Sequence, residues 1–199
     1  MTRLLVGTTN AGKQREFRRL LAGVAAEVVT PDQIGLDLTV EEPHHTYAEN
    51  ATAKADAFCR ASGLVTLADD SGIEIAALDW GPGVRSARWG SGRGSQASEV
   101  AERLRGADDR RARMVCVVAI AVPSPGAGTP AIHTFDGVIE GSVADEPRGE
   151  GGFGYDPIFL LPEGHTTAEL PEADKDRVSH RGRAVAAAMP ILLEMLGPH

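Results

Sequence analysis

Five clusters of residues in this chain have types and spacings that could do chemistry. Ala68-Asp69-Asp70-Ser71-Gly72 sets two adjacent carboxylates directly behind an apolar run. Paired acids at the C-terminal end of a strand are where α/β proteins hold hard divalent ions and proton-transfer groups. Oxygen-only donors favour Mg2+ or Mn2+ over zinc. A turn closed by local Asp and Ser hydrogen bonds would use the same residues. Gly7-Thr8-Thr9-Asn10-Ala11-Gly12-Lys13 falls between an apolar run and a helical pattern. Backbone N–H groups at such a helix start can cradle phosphate oxygens while Lys13 neutralises one of them. The spacing meets G-x-x-x-x-G-K, but Gln14 stands where a P-loop needs the Ser or Thr that ligates magnesium. That opposes a kinase or GTPase of the P-loop class. A solvated Lys beside a glycine turn is the plainer alternative.

The other three clusters are less specific singly. Glu41-Glu42 precedes Thr46-Tyr47-Ala48-Glu49-Asn50, with Lys54 four residues beyond Asn50 and so on the same helix face. The acidic pair can reach a divalent ion or serve as a solvated loop. Gly151-Gly152-Phe153-Gly154-Tyr155-Asp156-Pro157 and Phe159 gather three of the chain's nine aromatic residues. Glycines permit close backbone approach to a ligand, and an exposed ring offers a face to a purine. Lys175 leads into Ser179-His180-Arg181-Gly182-Arg183, where three basic groups crowd the first turn of a helix. Acids belong at that end of the macrodipole, so the crowding is easier to understand if an anion or a carbonyl oxygen binds there. An Arg-rich solvated face is the alternative. Of 20 basic residues only three are Lys, at 13, 54 and 175, and every one lies inside these clusters. A compact ammonium meets a phosphate as a point charge, which the planar guanidinium does not.

The elements that must position these groups can be read from periodicity. Short apolar runs predict strands over 4–6, 27–29, 64–68 and 158–160. Helices are predicted over 12–21, from a Thr46 cap to 62 with Gly63 as the stop, over 96–105, and from a Ser179 cap to 196 with a bend near Pro190. Residues 112–122 and 131–140 read as a hairpin across a Pro/Gly-rich turn. Strand–helix–strand followed by a hairpin gives α/β with a mixed sheet and flanking helices.

Composition sets outer limits. The chain has 199 residues, 42% hydrophobic, which argues against disorder and suits one domain. A formal charge of −8 disfavours a broad nucleic-acid surface. Cys59 and Cys116 form neither a disulfide framework nor a zinc pattern. No signal peptide or membrane span is readable, so the expectation is a soluble cytoplasmic protein.

Together the clusters make the parts of a nucleoside triphosphate site. In order along the chain, Thr8-Thr-Asn-Ala-Gly-Lys13, Glu49-Asn-Ala-x-x-Lys54-Ala, Ala68-Asp-Asp-Ser-Gly72, Pro82-Gly-Val-x-Ser-Ala-Arg88, Gly152-Phe-Gly-Tyr-Asp-Pro-Ile-Phe159 and Ser179-His-Arg-Gly182 resemble the inosine/xanthosine triphosphate pyrophosphatase family. The likeness runs from Leu4 to about Leu196. It implies one ITPase-like domain over 1–199, a mixed sheet forming two lobes around a central nucleotide-binding cleft, and a homodimer. The implied reaction is Mg2+-dependent hydrolysis of ITP, dITP or XTP to the monophosphate and pyrophosphate, with no nucleic-acid or membrane partner. Carried over by motif, Thr8, Thr9, Asn10, Ala11, Gly12, Lys13 and Lys54 meet the triphosphate. Asp70 is proton acceptor and metal ligand, and Glu41 a second ligand. Ser71, Phe153, Gly154, Tyr155, Asp156, Lys175, His180 and Arg181 line the nucleotide. His44, Trp80 and Trp89 depart from the residues usual at their positions.

Overall fold

A computed structural model describes residues 2–90, 95–126 and 128–197. Its strands are β1 (Arg3–Val6), β2 (Glu27–Val29), β3 (Val65–Ile75), β4 (Gly81–Pro82), β5 (Arg111–Val122), β6 (Ala131–Val143) and β7 (Phe159–Leu160). Its α-helices are α1 (Ala11–Leu20), α2 (Tyr47–Ser62), α3 (Gln96–Arg103), α4 (Glu172–Val178) and α5 (His180–Leu196). The strand order is β2-β1-β3-β5-β6-β7, with β4 paired to β3 off that path. The sheet is mixed: β1 pairs in parallel with β2 and β3, whereas β4 and β7 pair antiparallel to their neighbours. No helix among the described residues is long and apolar enough to cross a membrane.

The chain divides into two compact units, and each long strand contributes to both. The first unit takes 1–70, 116–137 and 183–199. Leu4 and Val6 of β1, Phe17 of α1, Leu67 of β3, Val118 and Ile120 of β5 and Leu192 of α5 form its largest apolar cluster. A second cluster packs Ala51, Ala55 and Cys59 of α2 against Ala68 of β3 and Ala119 and Ala121 of β5. Those small side chains bring α2 close to the strands, which later proves decisive for Asn50 and Lys54. The other unit takes 71–115 and 138–182. Ile73, Ile75, Val100, Leu104, Met114, Ile139, Ile158 and Phe159 fill its core.

Caps explain most helix boundaries. Asn10 accepts from the Lys13 N–H and starts α1. Thr46 accepts from the Glu49 N–H and starts α2, which Gly63 ends in the left-handed region at φ 69°. Two departures from the sequence reading have physical causes. Strand β3 does not stop at residue 68 but continues through Asp69, Asp70, Ser71 and Gly72 to Ile75. Its buried acids are tolerated because Lys13 pairs with Asp69 and the Asn50 amide donates to Asp70, as described below. Helix α4 was not foreseen, although Pro171, acids in its first turn and Lys175 and Arg177 in its last are the charge pattern of a short helix. Helix α5 runs His180–Leu196 through Pro190, the extent expected from the sequence.

Candidate functional site

The turn from β1 into α1 is built by its own polar side chains. The Asn10 N–H donates to Thr8 Oγ1 at 3.2 Å, and Asn10 Oδ1 accepts from the Lys13 N–H at 3.0 Å. Gln14 Nε2 donates to the Thr8 carbonyl at 2.9 Å, so the residue that breaks the P-loop pattern closes the turn. Thr9, Asn10 and Ala11 are exposed at the helix start, where the partial positive charge of the helix lies. Gly7 is required for another reason: a Cβ there would come within 2.9 Å of the Phe58 ring.

Strand alternation separates the two acids of β3, because successive side chains point to opposite faces. Asp69 turns toward Lys13, whose Nζ lies 3.0 Å from Asp69 Oδ2, and toward the Cys116 thiol at 3.7 Å. Asp70 turns toward α2, where Asn50 Nδ2 donates to its Oδ2 at 3.0 Å. Burial pushes the Asp70 carboxyl above its ordinary value; Lys54, Asn50 and Lys13 pull it back, and Glu42 raises it further. Lys54 forms an ion pair with Glu42. Thus Lys13, Lys54 and Asp70 share one electrostatic neighbourhood, and Glu42 is the acid of the Glu41-Glu42 pair that enters it. Glu41 is exposed.

This donor set fits a hard divalent ion. Asp70 and Glu42 offer carboxylate oxygens, the type Mg2+ selects. Among the described residues no three acids, histidines or cysteines converge into a finished cage.

The second unit carries a different cluster. Its centre is Asp156, only 2% exposed. Asp156 Oδ2 accepts from the Phe153 N–H at 2.7 Å and from Lys175 Nζ at 2.6 Å, while Oδ1 accepts from Thr167 Oγ1 at 2.8 Å. Gly152 makes this wrap possible: its φ is 69°, and a Cβ there would fall 2.1 Å from Asp156 Oδ2. Above this acid the half-buried Phe153 ring has Lys175 Nζ at 5.5 Å and the Arg181 guanidinium at 5.6 Å from its centroid. Arg181 Nη2 also donates to Ser71 Oγ at 2.9 Å. Ser71, Phe153, Asp156, Lys175 and Arg181 are therefore one connected group. His180 is buried beside Arg181 at the start of α5. Tyr155 goes elsewhere: it is buried and its hydroxyl donates to the Ser86 carbonyl at 2.8 Å. Burial also pushes its phenol well above the usual range.

Sequence reasoning names Asp69 and Glu42 only as members of acidic pairs that could meet a divalent ion, and Asn50 only as sharing a helix face with Lys54. Period-two alternation within β3 was the signal for Asp69. The Asn50–Lys54 spacing was the signal for the other two, once a short α2–strand distance is known.

Comparison with known proteins adds an independent line. A family model described as the Ham1 family matches residues 4–191. The chain is 43% identical over 198 residues to a dITP/XTP pyrophosphatase of Nitrosomonas europaea, covering 98% of this chain and 96% of that protein. It is 44% identical over 200 residues to a dITP/XTP pyrophosphatase of Symbiobacterium thermophilum, covering 96% and 97%. Among solved structures, a HAM1 protein from Coxiella burnetii superposes with a TM-score of 0.82 at 37% identity, covering 98% of this chain and all (100%) of that one. The Staphylococcus aureus Ham1 protein gives 0.82 at 32% identity, with 98% and 100% coverage.

Proposed function

The chain belongs to the Ham1 family, and from that premise we propose that it hydrolyses non-standard purine nucleoside triphosphates (ITP, dITP and XTP) to the monophosphate and pyrophosphate. The reaction removes deaminated nucleotides from the pool before they enter DNA or RNA. Relatives named dITP/XTP pyrophosphatases, matched over nearly their full length, support the activity. The observation within the chain that best supports it is the buried Asp70 carboxylate lying in the field of both Lys13 and Lys54.

Water attacks the α-phosphorus, and Asp70 accepts its proton. A carboxyl that burial has raised is a better base than an ordinary aspartate, and the two lysines near it favour its ionised form. Lys13 and Lys54 offset the negative charge that grows on the departing pyrophosphate, and the positive end of α1, exposed at Thr9, Asn10 and Ala11, meets the phosphate oxygens. Asp70, with a carboxylate of the Glu41-Glu42 pair, would hold Mg2+. When bound, the ion supplies charge neutralisation on the phosphates and lowers the pKa of attacking water. Of the acidic pair we favour Glu42, since its carboxylate is the one paired with Lys54.

Following the family resemblance, Phe153, His180 and Arg181 select the base. Phe153 stacks on the purine, and Arg181 or His180 donates to the 6-oxo group that hypoxanthine and xanthine carry. Adenine presents an amino donor there, leaving donor against donor at a cost of roughly 1–3 kcal/mol. Asp156 and Tyr155 hold the loop that presents Phe153 and Gly154. Following the family resemblance, we also propose a cytoplasmic homodimer, for which sedimentation equilibrium should return twice the mass of the chain.

A phosphate-release assay on ITP, dITP, XTP, ATP and GTP with Mg2+, run with and without added inorganic pyrophosphatase, tests the activity. Orthophosphate should appear with ITP, dITP and XTP only when the coupling enzyme is present. Equal turnover of ATP would overturn the assigned specificity.

A further inference from the structure

Asn50 is the fourth residue of α2 and is 1% exposed. A buried asparagine inside a helix is poor by propensity and costly unless its amide is satisfied on both sides. Here both sides are used. Oδ1 accepts from the His44 N–H at 3.1 Å, and Nδ2 donates to Asp70 Oδ2 at 3.0 Å with the His44 carbonyl at 3.4 Å. Helix capping does not require it, because Thr46 already caps α2 and exchanges side-chain and backbone bonds with Glu49. One turn further along the same face, Lys54 holds Glu42. Helix α2 therefore grips the loop over 41–45 at two points, the backbone of His44 and the carboxylate of Glu42. Through the same amide it touches the carboxylate of β3.

An amide suits this position because it accepts and donates at once. Asp can accept from the loop N–H but not donate to Asp70, and Lys can donate but not accept. We propose that Asn50 is a positioning residue that fixes the acidic loop against Asp70, so that the two oxygen donors are preset for the divalent ion. The inference rests on the metal-dependent pyrophosphatase reading above. It predicts that Asn50 acts on metal affinity more than on nucleotide affinity.

The test uses Asn50→Ala and the volume-matched Asn50→Leu, each confirmed folded by circular dichroism. Mn2+ binding to the nucleotide-free protein is followed by water proton relaxation, and Mg2+ activation of ITP hydrolysis is titrated in parallel. Loss of a positioning partner around a metal site costs about 10–100-fold in metal affinity or activity. Both variants should therefore need 10–100-fold more Mn2+ and Mg2+, with the KM for ITP changed less than threefold. A double-mutant cycle with Glu42→Gln should be non-additive, because the loop can be released only once. Wild-type Mn2+ affinity in both folded variants, or an additive cycle, would overturn the proposal. Failure of the underlying reading is separately visible, as a wild-type protein that hydrolyses none of the nucleotides.

Discussion

At the scale of single residues, Asp70 meets opposed demands. Its carboxyl is raised chiefly by burial, so the folded chain holds that proton to a higher pH than the unfolded chain does. The stability it contributes is complete below the ordinary carboxylate value and is lost as pH rises through the folded value. Above that folded value the ionised side chain costs the fold, and Asp70→Asn should relieve that cost. In metal-free buffer at pH 7 the variant should melt at a higher temperature than the parent. That advantage should shrink toward pH 4 in a series of thermal melts, while turnover falls by about 10²–10⁴-fold. A variant no more stable than the parent at pH 7 would contradict this account of Asp70. The lysines make a second residue-scale case. Lys175 and Asp156 are side chains about 5% and 4% exposed, 2.6 Å apart. The larger, forked Arg cannot be placed there without moving the loop. Lys175→Arg should cost about 1–3 kcal/mol in urea unfolding. Lys13→Arg and Lys54→Arg should slow kcat by roughly tenfold, about 1.4 kcal/mol of barrier, with little change in stability.

At the scale of elements, the most informative is β3. Its apolar beginning was readable as a strand, but the adjacent acids looked like the turn beyond it. Polar residues end a strand only when nothing can satisfy them, and here Lys13 and Asn50 do so from two other elements. Such partners are distant in sequence, so local periodicity cannot reveal them. What was legible was local: the Thr46 cap, the Gly63 stop, the helical face that puts Asn50 and Lys54 together, and the turn at 8–13. The residues of the site were legible as types, and their pairing was not. Glu42 rather than its neighbour Glu41 entered the cluster because of where α2 sits on the sheet, and Tyr155 went to the Ser86 carbonyl. The loop over 151–157 gives the element-scale prediction. Gly152→Ala forces a side chain into the left-handed region and against Asp156. It should cost about 1–3 kcal/mol in chemical denaturation and lower activity by displacing Phe153. Unchanged stability would show that the wrap around Asp156 is looser than described.

At the scale of the whole molecule, the two units carry chemically different clusters. Carboxylates and lysines gather in the first; an aromatic ring with two cations gathers in the second. For a chain of net charge −8, the lysines placed among those carboxylates are what let a polyanion approach. Phosphate chemistry and base selection accordingly rest on different residues. Phe153→Ala should raise the KM for ITP and XTP by roughly 5–150-fold, the worth of about 1–3 kcal/mol of stacking, and leave the Mg2+ concentration dependence unmoved. A shifted Mg2+ dependence in that variant would show that the two functions are not separable. The central claim is cleavage between the α- and β-phosphates of a non-standard purine triphosphate. It is tested most directly by a 31P spectrum of ITP digested with the protein and Mg2+, with no coupling enzyme present. The account predicts inosine monophosphate and a single pyrophosphate resonance in equal molar amounts; inosine diphosphate with orthophosphate would contradict it.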